Sequence, residues 1–431
     1  MSGIIKKVHA REVFDARGWP TVETEIVLDD GSVGRFAAPG GTSRGSNEAN
    51  DVRDGDKSYF NGMGVNKAIR NVNTEIATAI LGRDATDQEN IDRVMIELDG
   101  TPNKSRLGSN AIIATSIGLA KAAAKSRGLK LFEHLGGGNE IPVAFALTMF
   151  GGPAYVGIAG TADFQEYSFY ALNVASFKEG WVKILGIYRR MVESVVKKQG
   201  LGIPRLASLA GTLQARFDSN EEALATMTQA IKDEGYTPRK DFGIYLDIAS
   251  TQLYQDGKYY LKADDKTYTR EEWIDKLAGW CDKYPIVSIE DGLYEDDWEG
   301  WQLLTKRLGK RVQLVGDDFI VTNPKRLKRA VEMGAANAIV VKPNQIGTLT
   351  ETIQTIKLAQ SAGYGTVISA RSGELWDPYI AHLCVGQNLR QVKSVRAPTG
   401  GDTFNELLRI QDYLGEKAEY AGKRVLARFL S

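Results

Sequence analysis

The chain has 431 residues, and its 54 Lys plus Arg match its 54 Asp plus Glu, so no net field draws it to nucleic acid or an anionic membrane. Cys281 and Cys384 are too few for a disulfide framework and too far apart for a CxxC zinc site. No apolar run approaches the roughly 20 residues of a membrane span, and Met1-Ser2-Gly3-Ile4-Ile5-Lys6-Lys7 does not read as a signal peptide. The expectation is a soluble, cytoplasmic protein.

Residues 3–38 read as three strands. Ile4 to Phe14 comes first, then Thr21 to Leu28 with good alternation, and Asp29-Asp30-Gly31 turns the chain into Val33 to Ala38. The Gly- and Ser-rich stretch 37–46 reads as a mobile loop. Helices follow: Val65, Ile69, Val72, Ile76 and Ile80 recur at helical spacing. Residues 109–126, dominated by Ala, Ile and Ser, predict a buried helix with close neighbours. Leu131 to Leu135 is a short last helix before Gly136-Gly137-Gly138-Asn139-Glu140. An antiparallel sheet followed by helices makes residues 1–136 an α+β domain.

From Ile141 a second domain, 141–431, opens with strands at Pro142 to Phe150 and at Phe164 to Phe169, followed by a helix at Phe177 to Lys198. Ser219-Asn220-Glu221-Glu222 is a helix start with a capping box. One unit then repeats: an apolar β-branched run ending in a charged residue, a polar link, and an amphipathic helix. The run endings are Asp247, Glu290-Asp291, Asp317-Asp318, Lys342 and Lys393, with Ser369-Ala370-Arg371-Ser372 between the last two. They recur every 25 to 45 residues or so, the length of one strand-plus-helix unit. Trp273, Leu277, Trp280 and Cys281 share one helix face, and Leu349, Ile353 and Ile356 share another. Lys325, Arg326, Lys328 and Arg329 after Asn323-Pro324 read as a solvated helix face. Residues 402–427 close the chain with helical patterning.

Short apolar runs bounded by turns suit strands buried on both faces, and several in series with helices predict a (β/α) barrel. A barrel takes about 250 residues, which leaves room for the first domain. Strand ends converge on one face of a barrel, so three carboxylates and two lysines meet there. Carboxylates at converging points suit Mg2+, and a lysine among them serves as a base once its charge is destabilised. Such a site removes a proton beside a carboxylate while fixed cations hold the second negative charge.

Over essentially its whole length the sequence resembles the enolase family. The resemblance is carried by Asp15-Ala16-Arg17-Gly18-Trp19-Pro20, Val52-Arg53-Asp54-Gly55-Asp56, Gly151-Gly152, Gln165-Glu166, Ser219-Asn220-Glu221-Glu222, Leu246-Asp247, Ser288-Ile289-Glu290-Asp291-Gly292, Gly316-Asp317-Asp318, Lys342-Pro343-Asn344-Gln345, Arg371-Ser372-Gly373-Glu374 and Gln391-Val392-Lys393. It implies an α/β fold, a modified eightfold TIM-type barrel with an N-terminal α+β capping domain, in which the first barrel strands and helices are not all parallel. It also implies a homodimer or higher homo-oligomer and two Mg2+ ions per site. By matched position, Asp247, Glu290 and Asp317 would hold the first metal, and Ser43 would complete the shell of the second. Lys342 would be the base, Lys393 would neutralise the substrate carboxylate, and Arg371 with Ser372 would grip a phosphoryl group. Gln165 and Glu166 would line the cavity.

Three matched positions depart from the family. Ala210, in Ser208-Leu209-Ala210-Gly211-Thr212, replaces the acid of Gly-Asp-Glu-Gly-Gly. Ala154 and Ala370 stand near or at two positions where the family has histidine. The chain's His9, His134 and His382 all read as structural. Proton abstraction therefore looks intact, whereas acid help to a leaving hydroxide looks absent; Lys393 and Glu166 remain as candidate acids. Losing such an acid costs about 10²–10⁴ in rate. Arg44, where the family has Thr, suits an extra carboxylate or phospho group, and Trp19, Leu375-Trp376 and Arg396 indicate a reshaped pocket. The leading expectation is a Mg2+-dependent lyase-type enzyme acting on a small phospho- or phosphono-carboxylate, with the family's carboxyphosphonoenolpyruvate synthase as precedent. A glycolytic enolase with a compensating acid and a non-catalytic binding protein are the alternatives.

Overall fold

Alternation in the first forty residues produces a three-stranded antiparallel sheet, Ile5–Phe14, Pro20–Leu28 and Val33–Ala37 in that order. Gly31 takes φ +85° at the hairpin, where Leu28 N–H donates to the Ser32 carbonyl at 2.9 Å. This computed structural model describes residues 3–41, 44–150, 162–200, 213, 215–393 and 401–430. Behind the sheet lies the helix Ser109–Ser126, buried along nearly its whole length. A Cβ on Gly34 would stand 2.0 Å from the Gly118 carbonyl oxygen, so strand and helix touch backbone to backbone. That closeness is why the helix is built of small residues.

The stripe Val65, Val72, Ile76 and Ile80 is buried, as its spacing predicts. The helix is not uniform, however: Asn66–Asn71 and Ala77–Ile80 are α-helical, and Val72–Ile76 between them is a π-turn. From that wider turn the Asn73 side chain accepts from Ala10 N–H at 2.7 Å and donates to the Ala10 carbonyl at 3.0 Å. The π-turn is thus the place where the helix ties to the first strand, a local bond that periodicity does not reveal.

Eight strands close the barrel, each beside its neighbour in the chain: Val143–Phe150, Glu166–Ala171, Phe242–Asp247, Ile286–Glu290, Gln313–Gly316, Ala338–Val341, Gly365–Ser369 and Gln391–Lys393. The second strand runs antiparallel to both neighbours, and all other pairs are parallel. Both helices Phe177–Gln199 and Asn220–Asp233 fall between the second and third strands. The reversal matters for the site. Because the second strand starts where the others finish, Glu166 pairs in register with Asp247.

Phe145, Tyr170, Tyr245, Val287, Val315, Val340 and Val367 pack together inside the barrel, with Leu426 and Phe429 of the chain's tail joined to the same cluster. Arg239, just before the third strand, donates to the Phe429 carbonyl, which places the tail at the end opposite the carboxylates. The α+β cap sits on the other end. Asp92 in the cap helix Gln88–Asp99 accepts from Thr350 N–H and Oγ1 at 2.9 and 2.7 Å. Lys104 pairs with Glu351 at 2.9 Å.

Three local expectations need correction. Ser219 accepts from Glu222 N–H, but the Glu222 carboxylate returns to Asp218 N–H, so the capping box is displaced by one residue. Arg326 leaves the solvated face and turns inward, where its guanidinium donates to the carbonyls of Phe319 and Glu295. Residues 402–427 are not one helix: Gly401–Leu414 is followed by short turns and a strand, Glu419–Tyr420, paired with Glu140–Ile141. Of the stretch 37–46, residues 42–43 lie outside the described residues. Gly40 bridges to Gly373, and Ser46 N–H donates to Glu295 Oε2 at 3.0 Å.

Candidate active site at the carboxyl ends of the barrel strands

Six strands deliver the charged groups. Asp247 and Glu290 are the last residues of their strands, Asp317 and Lys342 follow theirs directly, Lys393 ends the eighth, and Glu166 begins the reversed second. Lys393 Nζ donates to Asp247 Oδ2 at 2.8 Å and to Glu290 Oε1 at 2.6 Å, and stands 2.9 Å from Glu166 Oε2. Lys342 Nζ pairs with Asp317 Oδ2. Gln345 Nε2 donates to the other Asp317 oxygen at 2.7 Å, and Gln165 Nε2 donates to Asp247 Oδ2 at 3.1 Å.

Burial governs the electrostatics. It opposes the charge on Asp317, yet Lys342 and Lys393 together hold that carboxyl at about 2. Burial pushes Glu290 well above the ordinary carboxylate range, and Asp247 adds to the push. Asp291 is pushed up to about 8 by burial, with Asp317 and Asp247 reinforcing it. Both lysines are buried as well, a cost that their carboxylates more than offset, so both ammonium groups are held above their ordinary value. The acids outnumber the lysines, and the excess shows as the upward push on Glu290 and Asp291.

On the cap side, Arg371 Nη1 donates to both Glu48 oxygens at 3.1 and 3.2 Å and reaches Asn344 Oδ1 at 3.4 Å. A Cβ on Gly41 would lie 1.8 Å from Arg371 Nη2, so the glycine is what lets the loop lie against the guanidinium. Ser372 Oγ accepts from Arg17 Nη1 at 3.3 Å, and Arg17 is itself held by Asp15 at 2.6 Å. Arg44 folds back: Nη2 donates to the Ala49 carbonyl at 2.7 Å, and Nε lies 3.6 Å from Glu48 Oε2. It meets the cluster through Glu48, which Arg371 shares.

Family models match the chain in two consecutive pieces. They are described as enolase, N-terminal domain, over residues 5–135, and enolase, C-terminal TIM barrel domain, over residues 140–429. The chain belongs to the enolase family. That membership supports an enolase-superfamily enzyme of the lyase type that binds a small-molecule substrate, in a family that generally uses Mg2+. Among the described residues no helix is long and apolar enough to cross a membrane.

The donor set fits a hard cation. Asp247, Glu290 and Asp317 are buried carboxylates gathered from three strands, two of them on the ammonium of Lys393, and the three acids outnumber the two lysines beside them. Asp291, Asp317 and Asp318 form a second acidic group whose oxygens lie within 4.8 Å of one another. Within it Asp291 accepts from the N–H groups of Asp317 and Asp318, both at 2.9 Å, so it braces one strand end against the next.

Ser43, Ala154, Ala210 and Arg396 lie outside the described residues. Ala370 directly follows the seventh strand, and its N–H donates to the Lys393 carbonyl at 3.3 Å. His9 is in the first cap strand, His134 ends the helix Leu131–His134, and His382 in Tyr379–Gly386 lies 3.2 Å from Glu406. Sequence reasoning assigned no part to Glu48, Gln345, Asn344 or Tyr245. Tyr245 was findable by strand alternation, two residues before Asp247, and Asn344 and Gln345 by following Lys342. Nothing in the loop around Glu48 announces its burial against Arg371.

Proposed function

We propose that this protein is a Mg2+-dependent enolase-family lyase whose Lys342 removes the proton α to the carboxylate of a small phospho- or phosphono-carboxylate, with ordinary dehydration of 2-phosphoglycerate not its reaction. The observation that carries the reading is an asymmetry. The two lysines and three carboxylates converge, while Ala370 adjoins Lys393 and each of the chain's three histidines stands in the cap or on an outer helix.

Asp247, Glu290 and Asp317 would hold Mg2+, which when bound supplies fixed positive charge against a second negative charge on the substrate. Lys342 Nζ takes the α-proton once Asp317, whose charge keeps it an ammonium, is engaged elsewhere; burial first, and then Arg371 and Lys393, already push it toward neutrality. Lys393 faces the substrate carboxylate. Arg371 and Ser372 receive the phosphorus-bearing group, and Gln165 fixes Asp247. The family's carboxyphosphonoenolpyruvate synthase is the precedent for such a reaction. Zero net charge supports a small-molecule partner over nucleic acid or membrane, and we read the protein as a cytoplasmic homodimer.

Glu166, 2.9 Å from Lys393 Nζ, favours one second reading: 2-phosphoglycerate dehydration with this pair as the acid. An assay of 2-phosphoglycerate with Mg2+ separates the two. The proposal expects phosphoenolpyruvate formation about 10²–10⁴ below that of an enzyme retaining its acid. Robust formation abolished by E166Q would establish the second reading instead.

A further inference from the structure

Directly beneath the carboxylates, the barrel interior holds a hydroxyl that the mechanism above does not use. Tyr245 is fully buried, and its phenol donates to Glu290 Oε2. The other oxygen of the same carboxylate, Oε1, faces Lys393 Nζ at 2.6 Å. Strand alternation puts Tyr245 on the same face as Asp247, two residues on. Its ring lies nearly parallel to that of Phe145 at 4.6 Å, and Phe145 stacks in turn on Tyr170 at 5.3 Å. Tyr170 OH then donates to Gln391 Oε1 at 3.0 Å, on the strand that ends in Lys393. The stack thus runs across the barrel from the strand of Asp247 to the strand of Lys393. Lys393 Nζ itself lies 5.7 Å from the centre of the Tyr245 ring.

We propose that Tyr245 is a positioning residue that ties down one oxygen of Glu290, so that this carboxylate offers a single oxygen to a divalent cation and the site prefers Mg2+ over Ca2+. The inference rests on the metal reading above. A carboxylate held by a donor on one oxygen loses its freedom to rotate and to chelate. The phenol is held in place by the stacked rings, so it fixes the carboxylate oxygen that it touches. Mg2+ takes few carboxylate oxygens in strict octahedral geometry, whereas Ca2+ takes six to eight ligands and accepts bidentate carboxylates readily. Partners of this kind commonly alter metal affinity by about 10–100-fold when removed.

The test is a titration of the full chain with MgCl2 and with CaCl2, by calorimetry and by the shift in melting temperature, for the wild type, Y245F and E290Q. Y245F keeps the stacked ring and removes only the hydroxyl. The expected result is that Y245F binds Mg2+ about 10–100-fold more weakly while its Ca2+ affinity holds or rises, inverting or levelling the preference. E290Q should lose most binding of both ions. F145L, which loosens the stack but leaves the hydroxyl, should move the preference in the same direction and stands in if Y245F does not fold. Y245F binding both ions within twofold of the wild type, with E290Q still deficient, overturns the role of Tyr245 and leaves the metal reading standing. Equal binding by wild type and E290Q overturns the metal reading, and this inference with it.

Discussion

Lys393 Nζ donates to Glu290 Oε1 across 2.6 Å in the mouth of the barrel, with both side chains buried. The ammonium stands among the acids that would hold a cation, and its removal leaves Glu290 and Asp247 facing one another. Breaking a buried pair on one side typically costs about 3–5 kcal/mol. K393M should therefore lose about that much stability in urea unfolding without divalent cation, and added MgCl2 should restore part of it. A variant as stable as the wild type without Mg2+ would show that the pair does not organise the site.

Gly41 lies against the guanidinium of Arg371, where a Cβ would sit 1.8 Å from Nη2. G41A should displace the guanidinium from Glu48 and from the place where a phosphorus-bearing group would bind. A charge-assisted hydrogen bond is worth about 1.5–3 kcal/mol, so the affinity for phosphonoacetate in the presence of Mg2+ should fall by roughly tenfold or more. Isothermal titration reads this directly, and an unchanged affinity would place the anion elsewhere.

Cap and barrel are joined at Asp92, whose carboxyl accepts both the N–H and the hydroxyl of Thr350. The group is fully buried, and D92A leaves those donors without an acceptor. The expected loss is on the order of 2–4 kcal/mol, from two unsatisfied donors, seen as a lower calorimetric melting temperature. T350V should cost less, because the backbone N–H keeps its acceptor.

The outer face of the cap sheet carries a pH dependence with a definite sign. Arg35 first, and then Arg11, hold the Glu25 carboxyl at about 2, against an ordinary value of 4.5. A lowered folded-state value means that the contribution is complete above about pH 4.5 and is lost as pH falls toward about 2. E25Q should flatten this acid limb in melting curves between these pH values. The difference should shrink in high salt, since Arg35 is largely exposed.

What the sequence disclosed and what it hid divide along physical lines. The strand ends were legible because a strand buried on both faces breaks its apolar run where it reaches the charged rim, as at Leu246-Asp247 and Val341-Lys342. The small-residue helix Ser109–Ser126 was legible for the same kind of reason, its composition recording the close approach at Gly34. Bonds between distant segments leave no such trace. The π-turn at Val72–Ile76 depends on Ala10, the inward turn of Arg326 on two carbonyls, and the burial of Glu48 on Arg371. Of the second strand, periodicity gives the residues but not the direction, and its direction is what brings Glu166 to Lys393.

The central claim is that proton removal survives in a site where dehydration does not. Its most direct measurement is exchange of the α-proton for deuterium in D2O with Mg2+, followed by NMR over a panel of phospho- and phosphono-carboxylates including 2-phosphoglycerate. The account predicts exchange into at least one of them, abolished by K342A, with little phosphoenolpyruvate released from 2-phosphoglycerate. Rapid conversion of 2-phosphoglycerate to phosphoenolpyruvate, or exchange that persists in K342A, would contradict it.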